Sequence, residues 1–280
     1  MGEYLQPTNL DDALEALMDR PWTILAGGTD IYPARVDKPF DDDVLDISRL
    51  DALRGISEKT DHFRLGALTT WTELLDADLP PMFDGIKLAA REVGGMQIQN
   101  AGTIAGNVCN ASPAADGVPP LLTLNAEMEM AATRGRRVMP VEKFIINNRQ
   151  TRRGHDEIIT AILVPKPAQP TTSTFLKLGA RRYLVISIAM VAAALERADD
   201  GTVAALRIAV GSCSAKAQRL RLLERALIGQ PVTPAIADIV EPAHLSRLAP
   251  IDDVRGSAEY RLDAALTLVR RALTTLGSAS

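Results

Sequence analysis

The chain has 280 residues, a formal net charge of −4 and a hydrophobic fraction of 46%. That length suits two or three domains, and a negative balance without a long basic run argues against a nucleic-acid partner. The longest near-continuous apolar run, Leu184 to Leu195, falls short of the roughly 18 residues that mark a transmembrane helix.

The acidic, polar N-terminus has no basic n-region or apolar h-region, so no signal peptide is visible and a cytoplasmic location is expected. Cys109 and Cys213 are too few and too far apart for a CxxC zinc site or a four-thiolate iron–sulfur site, and read as free thiols. His62, His155 and His244 lack the close spacing of metal ligands.

In chain order, Thr8 and Asp11 suggest an N-cap with a near capping box. Leu10, Ala13, Leu14, Leu17 and Met18 then make one helical face. "WTILA" (Trp22 to Ala26) reads as a strand running into Gly27 and Gly28. A Pro- and Asp-rich loop leads to a second strand, "VLDI" (Val44 to Ile47). "FRLGAL" (Phe63 to Leu68) is a strand, followed by helices from about Thr72 and from about Pro81 to Val93, the latter closed by Gly94-Gly95. Residues 99–119 read as one long loop poor in large apolar residues. "AEMEMAA" (Ala126 to Ala132) and "EIITAILVP" (Glu157 to Pro165) read as strands, and the proline-rich stretch Pro165 to Thr174 as a linker. Apolar runs Val185 to Leu195 and Val203 to Val210 flank Asp199-Asp200-Gly201, a hairpin signal. Helices over Ala215 to Ile228 and Ser257 to Leu276 complete the chain.

Two segments suggest chemistry. In "ILAGGTDI" (Ile24, Leu25, Ala26, Gly27, Gly28, Thr29, Asp30, Ile31) paired glycines after a strand can turn sharply and present bare backbone N–H groups, the makings of an anion-binding nest. A plain strand-to-loop turn is the competing reading. In "TIAGNVCNASPAAD" (Thr103 to Asp116), Thr103, Gly106, Asn107, Asn110 and Ser112 offer hydroxyl, amide and backbone donors suited to a phosphate or a sugar hydroxyl. With no Lys or Arg in the segment, backbone dipoles would have to neutralise an anion. Asp116 could accept from a sugar hydroxyl or cap the helix after Gly117. Neither segment is a GxGxxG or GxxxxGK[ST] fingerprint, and no Ser–His–Asp or Cys–His pairing follows from spacing. The residues alone stop at two phosphate-friendly loops in an α/β protein.

"AGGTDIYPAR" and "QNAGTIAGNVCNASPAADGVPPLL" together resemble the FAD-binding medium subunit of molybdenum hydroxylases, the relatives of xanthine, aldehyde and carbon monoxide dehydrogenases. "VLDISRLDALRGI", "DEIITAILVPKP", "FLKLGARRYLVISIAMVAAAL" and "DDVRGSAEYRLDAALTLVRRAL" extend the resemblance over essentially the whole chain. It implies an α+β fold. A two-subdomain α/β FAD-binding region of the PCMH/vanillyl-alcohol-oxidase type would span residues 1–168, with subdomains of about 1–55 and 56–168. A small α+β C-terminal domain with an antiparallel sheet would span residues 169–280.

It also implies that Ile24 to Ile31 wraps the FAD pyrophosphate and adenosine side through backbone amides. Thr103, Ile104, Ala105, Gly106 and Asn107 would form a second flavin loop with Asn110 beside it, and Asp116, Ile159 and Lys177 would be further flavin contacts. Val93 stands where the xanthine dehydrogenase branch has an aromatic residue. Neither loop holds a histidine, so FAD would be non-covalent. The two cysteines cannot supply the extra iron–sulfur cluster some relatives carry. No side chain is expected to act as acid or base. Molybdopterin and [2Fe–2S] clusters would lie in a large and a small partner subunit, in a dimer of heterotrimers that passes electrons through FAD to NAD+, quinone or oxygen. A self-sufficient flavin oxidase or reductase and a non-catalytic partner-binding module are the alternatives.

Overall fold

The computed structural model describes residues 2–35 and 41–278, so part of the Pro- and Asp-rich loop lies outside the described residues. The chain opens with β1 (Tyr4–Leu5), α1 (Leu10–Asp19), β2 (Thr23–Leu25) and β3 (Val44–Asp46). The three strands form a parallel sheet in the order β1-β3-β2. Asn9, not Thr8, caps α1, accepting from the Asp12 N–H at 2.9 Å, because a side-chain oxygen at that position meets the open amides of the first turn. Ala13, Leu14 and Leu17 pack on Trp22, Leu45, Ile47 and Leu50. Met18, expected on that face, projects into solvent.

Residues 56–165 build a second, antiparallel layer. It comprises β4 (Ile56–Glu58), β5 (His62–Gly66), α2 (Trp71–Asp76), α3 (Asp84–Glu92), α4 (Met96–Ala101), α5 (Ile104–Asn110), α6 (Val118–Thr123), β6 (Glu127–Ala132), β7 (Gly135–Pro140), α7 (Val141–Phe144), β8 (Ile145–Asn147), β9 (Gln150–Thr151) and β10 (Ile158–Pro165). Five of these strands pair in the order β4-β5-β10-β6-β7. Central β10 is buried over most of its length, as a strand covered on both faces must be.

The expected long loop over 99–119 is corrected. It holds the end of α4, all of α5 and the start of α6, and Ile104, Ala105, Val108, Ala111 and Ala115 are core residues beside Trp71, Phe83 and Ile86. Small side chains let these short helices approach the larger ones closely, so a lack of bulky residues here marks tight packing, not exposure.

The last part comprises β11 (Thr171–Leu178), β12 (Ala189–Arg197), β13 (Val203–Gly211), β14 (Gln218–Arg219), α8 (Arg221–Leu227) and α9 (Ala258–Ser278). Its four strands pair antiparallel in sequence order. The Asp199-Asp200-Gly201 hairpin is present, with Gly201 at φ +80° and a register shift between Glu196 and Arg197. The proline-rich linker is shorter than the sequence suggested, because β11 already begins at Thr171. Ser173 fastens that strand to the helical layer, its hydroxyl accepting from the Gly85 N–H at 2.8 Å and donating to the Met82 carbonyl at 2.7 Å. The expected helix from Ala215 starts only at Arg221, since Gln218 and Arg219 extend the sheet instead.

Buried polar groups join this sheet to the preceding layer. Arg219 pairs with Glu224 (2.5 and 2.8 Å) and donates to the Leu122 carbonyl and Asn125 Oδ1 at 3.3 and 3.0 Å. Glu224 also accepts from the Ile208 N–H at 2.9 Å. Replacing Glu224 with Ala leaves a buried guanidinium without its counter-charge, and urea unfolding should show a loss of about 3–5 kcal/mol.

Candidate functional site

A cavity of ≈ 640 Å³ opens between the turn after β2 and the N-terminal half of α5. That size lies within the range of about 300–1,000 Å³ typical of small-molecule and cofactor sites. The turn is shaped by two glycines. Gly28 adopts φ +70°, which favours glycine. A Cβ on Gly27 would stand 1.9 Å from the Ala101 carbonyl oxygen, so the turn and the α4–α5 junction meet backbone to backbone. The backbone N–H groups of Gly27, Gly28, Thr29, Asp30 and Ile31 donate to no protein acceptor among the described residues. Consecutive open amides lining a cavity can serve as a donor array for an anion.

The opposite wall is ordered from within. Thr103 caps α5, its Oγ1 accepting from the Gly106 N–H at 3.0 Å. Asn107 Oδ1 accepts from the Gly117 N–H at 3.2 Å. A Cβ on Gly117 would reach within 2.5 Å of the Trp71 ring, which also lines the cavity. Ala111 ends α5 in the left-handed region at φ 48°, and its carbonyl accepts from the Arg149 N–H at 2.9 Å.

Of the residues singled out from sequence, Ile24 to Ile31, Thr103, Ala105, Gly106, Asn107, Asn110 and Ile159 line this cavity. Ile104 does not; its side chain is buried in the core and its N–H donates to the Thr69 carbonyl at 3.1 Å. Asp116 and Lys177 also lie off the wall, joined to each other. Lys177 Nζ donates to Asp116 Oδ2 at 2.6 Å and to the Glu92 carbonyl at 3.3 Å, and Ser187 Oγ donates to Asp116 Oδ1 at 2.6 Å. Burial pushes the Asp116 carboxyl up, against the pull of Lys177 and Ser187. The helix-cap role weighed for Asp116 is not adopted: Gly117 caps α6 without a side-chain bond. Lys177 borders a second cavity of ≈ 340 Å³ with Glu92, Arg181 and Arg182.

Sequence reasoning missed several wall residues. Trp71, Val93 and Ile98 supply apolar surface, and Arg153 supplies positive charge, while the Arg35 guanidinium is paired with Asp42. The charge absent from the two segments thus arrives from elsewhere in the chain. The cluster Arg149, Arg152, Arg153 in "NNRQTRR" is the local signal that could have drawn attention to it. Arg153 Nη1 donates to the Gly154 and Glu157 carbonyls at 3.0 and 2.8 Å. Cys109 also lines the cavity, where burial pushes its thiol up to about 11 against the weaker pull of Arg153.

An FAD-sized ligand fits this arrangement on three grounds: the cavity volume, the open amides beside Gly28, and a wall of mixed apolar and cationic groups. The comparisons agree. Residues 1–167 match the FAD binding domain in molybdopterin dehydrogenase, and residues 174–276 match the CO dehydrogenase flavoprotein C-terminal domain. The chain is 30% identical to a xanthine dehydrogenase FAD-binding subunit of Escherichia coli O157:H7, covering 98% of this chain and 95% of that one. It is also 30% identical to a nicotine 6-hydroxylase medium subunit of Paenarthrobacter nicotinovorans, covering 98% and 97%. A chain of the solved carbon monoxide dehydrogenase of Hydrogenophaga pseudoflava superimposes with a TM-score of 0.86 at 28% identity, covering 98% and 96%. These matches define an FAD-binding oxidoreductase subunit of the molybdenum-containing dehydrogenases. The chain belongs to the family of FAD-binding medium subunits of molybdopterin hydroxylases, the xanthine and carbon monoxide dehydrogenase family. Among the described residues no helix is long and apolar enough to cross a membrane.

Glu157 holds the turn that carries Arg153. Its carboxylate is almost fully buried and accepts from Arg137 Nε (2.6 Å), Arg137 Nη2 (2.7 Å), Arg134 Nη2 (3.0 Å) and the Gly154 N–H (2.6 Å). The Arg137 guanidinium, helped by the Gly154 N–H and Arg134, holds this carboxyl below the usual carboxylate range despite burial. A lowered native value means stability present above the unfolded value of about 4.3 and lost as pH falls through the native one. The Glu157→Gln variant should therefore be less stable than the parent at pH 7, and the gap should narrow in urea titrations below about pH 4.

Proposed function

We propose that this chain is the flavoprotein subunit of a heteromeric molybdenum hydroxylase. It would receive electrons from [2Fe–2S] clusters in a small subunit and pass them through FAD to NAD+, a quinone or oxygen. A large subunit would carry the molybdopterin, in a dimer of heterotrimers in the cytoplasm. The observation that carries this reading is the run of open amides from Gly27 to Ile31 facing α5 across the cavity, in a chain whose first 167 residues match an FAD-binding domain.

Bound FAD supplies a centre that can be filled one electron at a time and emptied of two. The chain's own residues bind and orient it. Gly27 to Ile31 would hold the pyrophosphate and adenosine side through backbone N–H groups, with Arg153 adding positive charge to the wall. Thr103, Ala105, Gly106 and Asn107 would form the facing wall. Trp71, Val93, Ile98 and Ile159 would exclude water from the ring system. Asp116 and Lys177, paired with each other off the cavity wall, would support the flavin site from the edge of the C-terminal sheet. No histidine lies in either loop, so attachment would be non-covalent. We place the division between the FAD-binding and C-terminal parts at 168/169.

Purification of the chain with its partner subunits tests the reading. Flavin and iron–sulfur absorption bands that bleach on substrate addition are expected; a complex without flavin bands refutes it. Gly27→Val, which drives a side chain into the Ala101 carbonyl, should lower FAD affinity by about ten-fold or more, a cost near 1.4 kcal/mol, read as the flavin-to-protein ratio after gel filtration.

A further inference from the structure

Three segments far apart in sequence meet at one rim of the cavity. Arg149, in the turn between β8 and β9, donates from Nη1 to Asp30 Oδ2 at 2.8 Å and also to Asn110 Oδ1. Asn110 Nδ2 donates in turn to Asp30 Oδ1 at 3.0 Å. The three side chains close a ring of hydrogen bonds in which both carboxylate oxygens of Asp30 are used. Asp30 and Asn110 line the cavity, one on the glycine turn and one near the end of α5. The backbone of Arg149 is fixed to the same place, through its N–H bond to the Ala111 carbonyl and its own left-handed φ of 56°.

Asp30 presents an electrostatic problem. It sits beside a donor array suited to a diphosphate, and an uncompensated carboxylate on that wall would repel one. Arg149 removes the problem in two ways. It cancels the charge, and with Asn110 it ties the carboxylate to the end of α5.

We propose that Arg149 is a positioning residue for the dinucleotide: it neutralises Asp30 and sets the spacing of the two cavity walls without itself contacting the reacting ring. The proposal rests on the FAD reading above. A residue needed only for folding would change stability whatever the charge of Asp30. A positioning residue acting through Asp30 makes a different prediction: its loss is repaired by removing that charge.

The test uses the deflavinated full chain titrated with FAD and followed by flavin fluorescence, with thermal melts of each apo variant. Arg149→Ala should raise the FAD Kd by about three- to five-fold, the loss of one half-exposed ion pair. Arg149→Lys keeps the charge but not the Nη1 that reaches both Asp30 and Asn110, and should fall between it and the parent. The double variant Arg149→Ala/Asp30→Asn should recover most of the lost affinity. Asp30→Asn alone, which leaves the rim more positive, should bind FAD at least as tightly as the parent and gives a readout even if Arg149→Ala folds poorly. Parent-like binding by Arg149→Ala, a double variant no better than Arg149→Ala, or loss of FAD by Asp30→Asn overturns the proposal. A parent chain that binds no FAD overturns the FAD reading and this inference together.

Discussion

The close approach of Gly27 to the Ala101 carbonyl governs the geometry around the cavity. Because no side chain fits there, the turn after β2 lies directly on the α4–α5 junction. That junction is pinned from the other side. The Gly102 carbonyl accepts from the Trp71 N–H at 3.2 Å, and the Thr69 carbonyl accepts from the Ile104 N–H at 3.1 Å. The N-termini of α2 and α5 are therefore locked together, and the parallel sheet is registered against both. At the Gly27 end the width of the cavity follows from this stack of backbone contacts, so a single added methyl at Gly27 reaches further than most core substitutions.

The sequence made the periodic parts of the fold legible. Leu10, Leu14 and Leu17 marked α1, the alternation in Glu127 to Ala132 marked β6, and Asp199-Asp200-Gly201 marked the C-terminal hairpin. What stayed hidden has a common physical origin. Residues 99–119 are helical because small residues pack closely in three dimensions, and a local count of bulky side chains cannot detect that. The strand at Gln218 and Arg219 exists only because β13 offers it an edge.

For the site, paired glycines and hydroxyl-rich loops were recognisable because backbone conformation demands those residue types. Arg149 and Arg153 were not, since their roles come from long-range folding of an ordinary-looking turn. Ile104 shows the limit of reading by motif. Lying inside a motif, it was grouped with the cavity residues, yet its helical position turns it inward to the core. Charge is handled in the same dispersed way: the segments that shape the cavity contribute amides and hydroxyls, while its cation Arg153 comes from another part of the chain and Arg35 is paired with Asp42.

The fastening of Asp116 carries a mechanical consequence. Lys177 belongs to β11, and Ser187 lies just before β12, so both carboxylate oxygens are anchored in the C-terminal sheet. The segment from Thr103 to Asp116 is thereby tied at one end to the glycine turn and at the other to that sheet, like a strut between two plates. Its stiffness is borrowed from residues more than sixty positions downstream. A fragment ending before β11 would keep every residue of the cavity wall and still lose the far support that holds α5 in place.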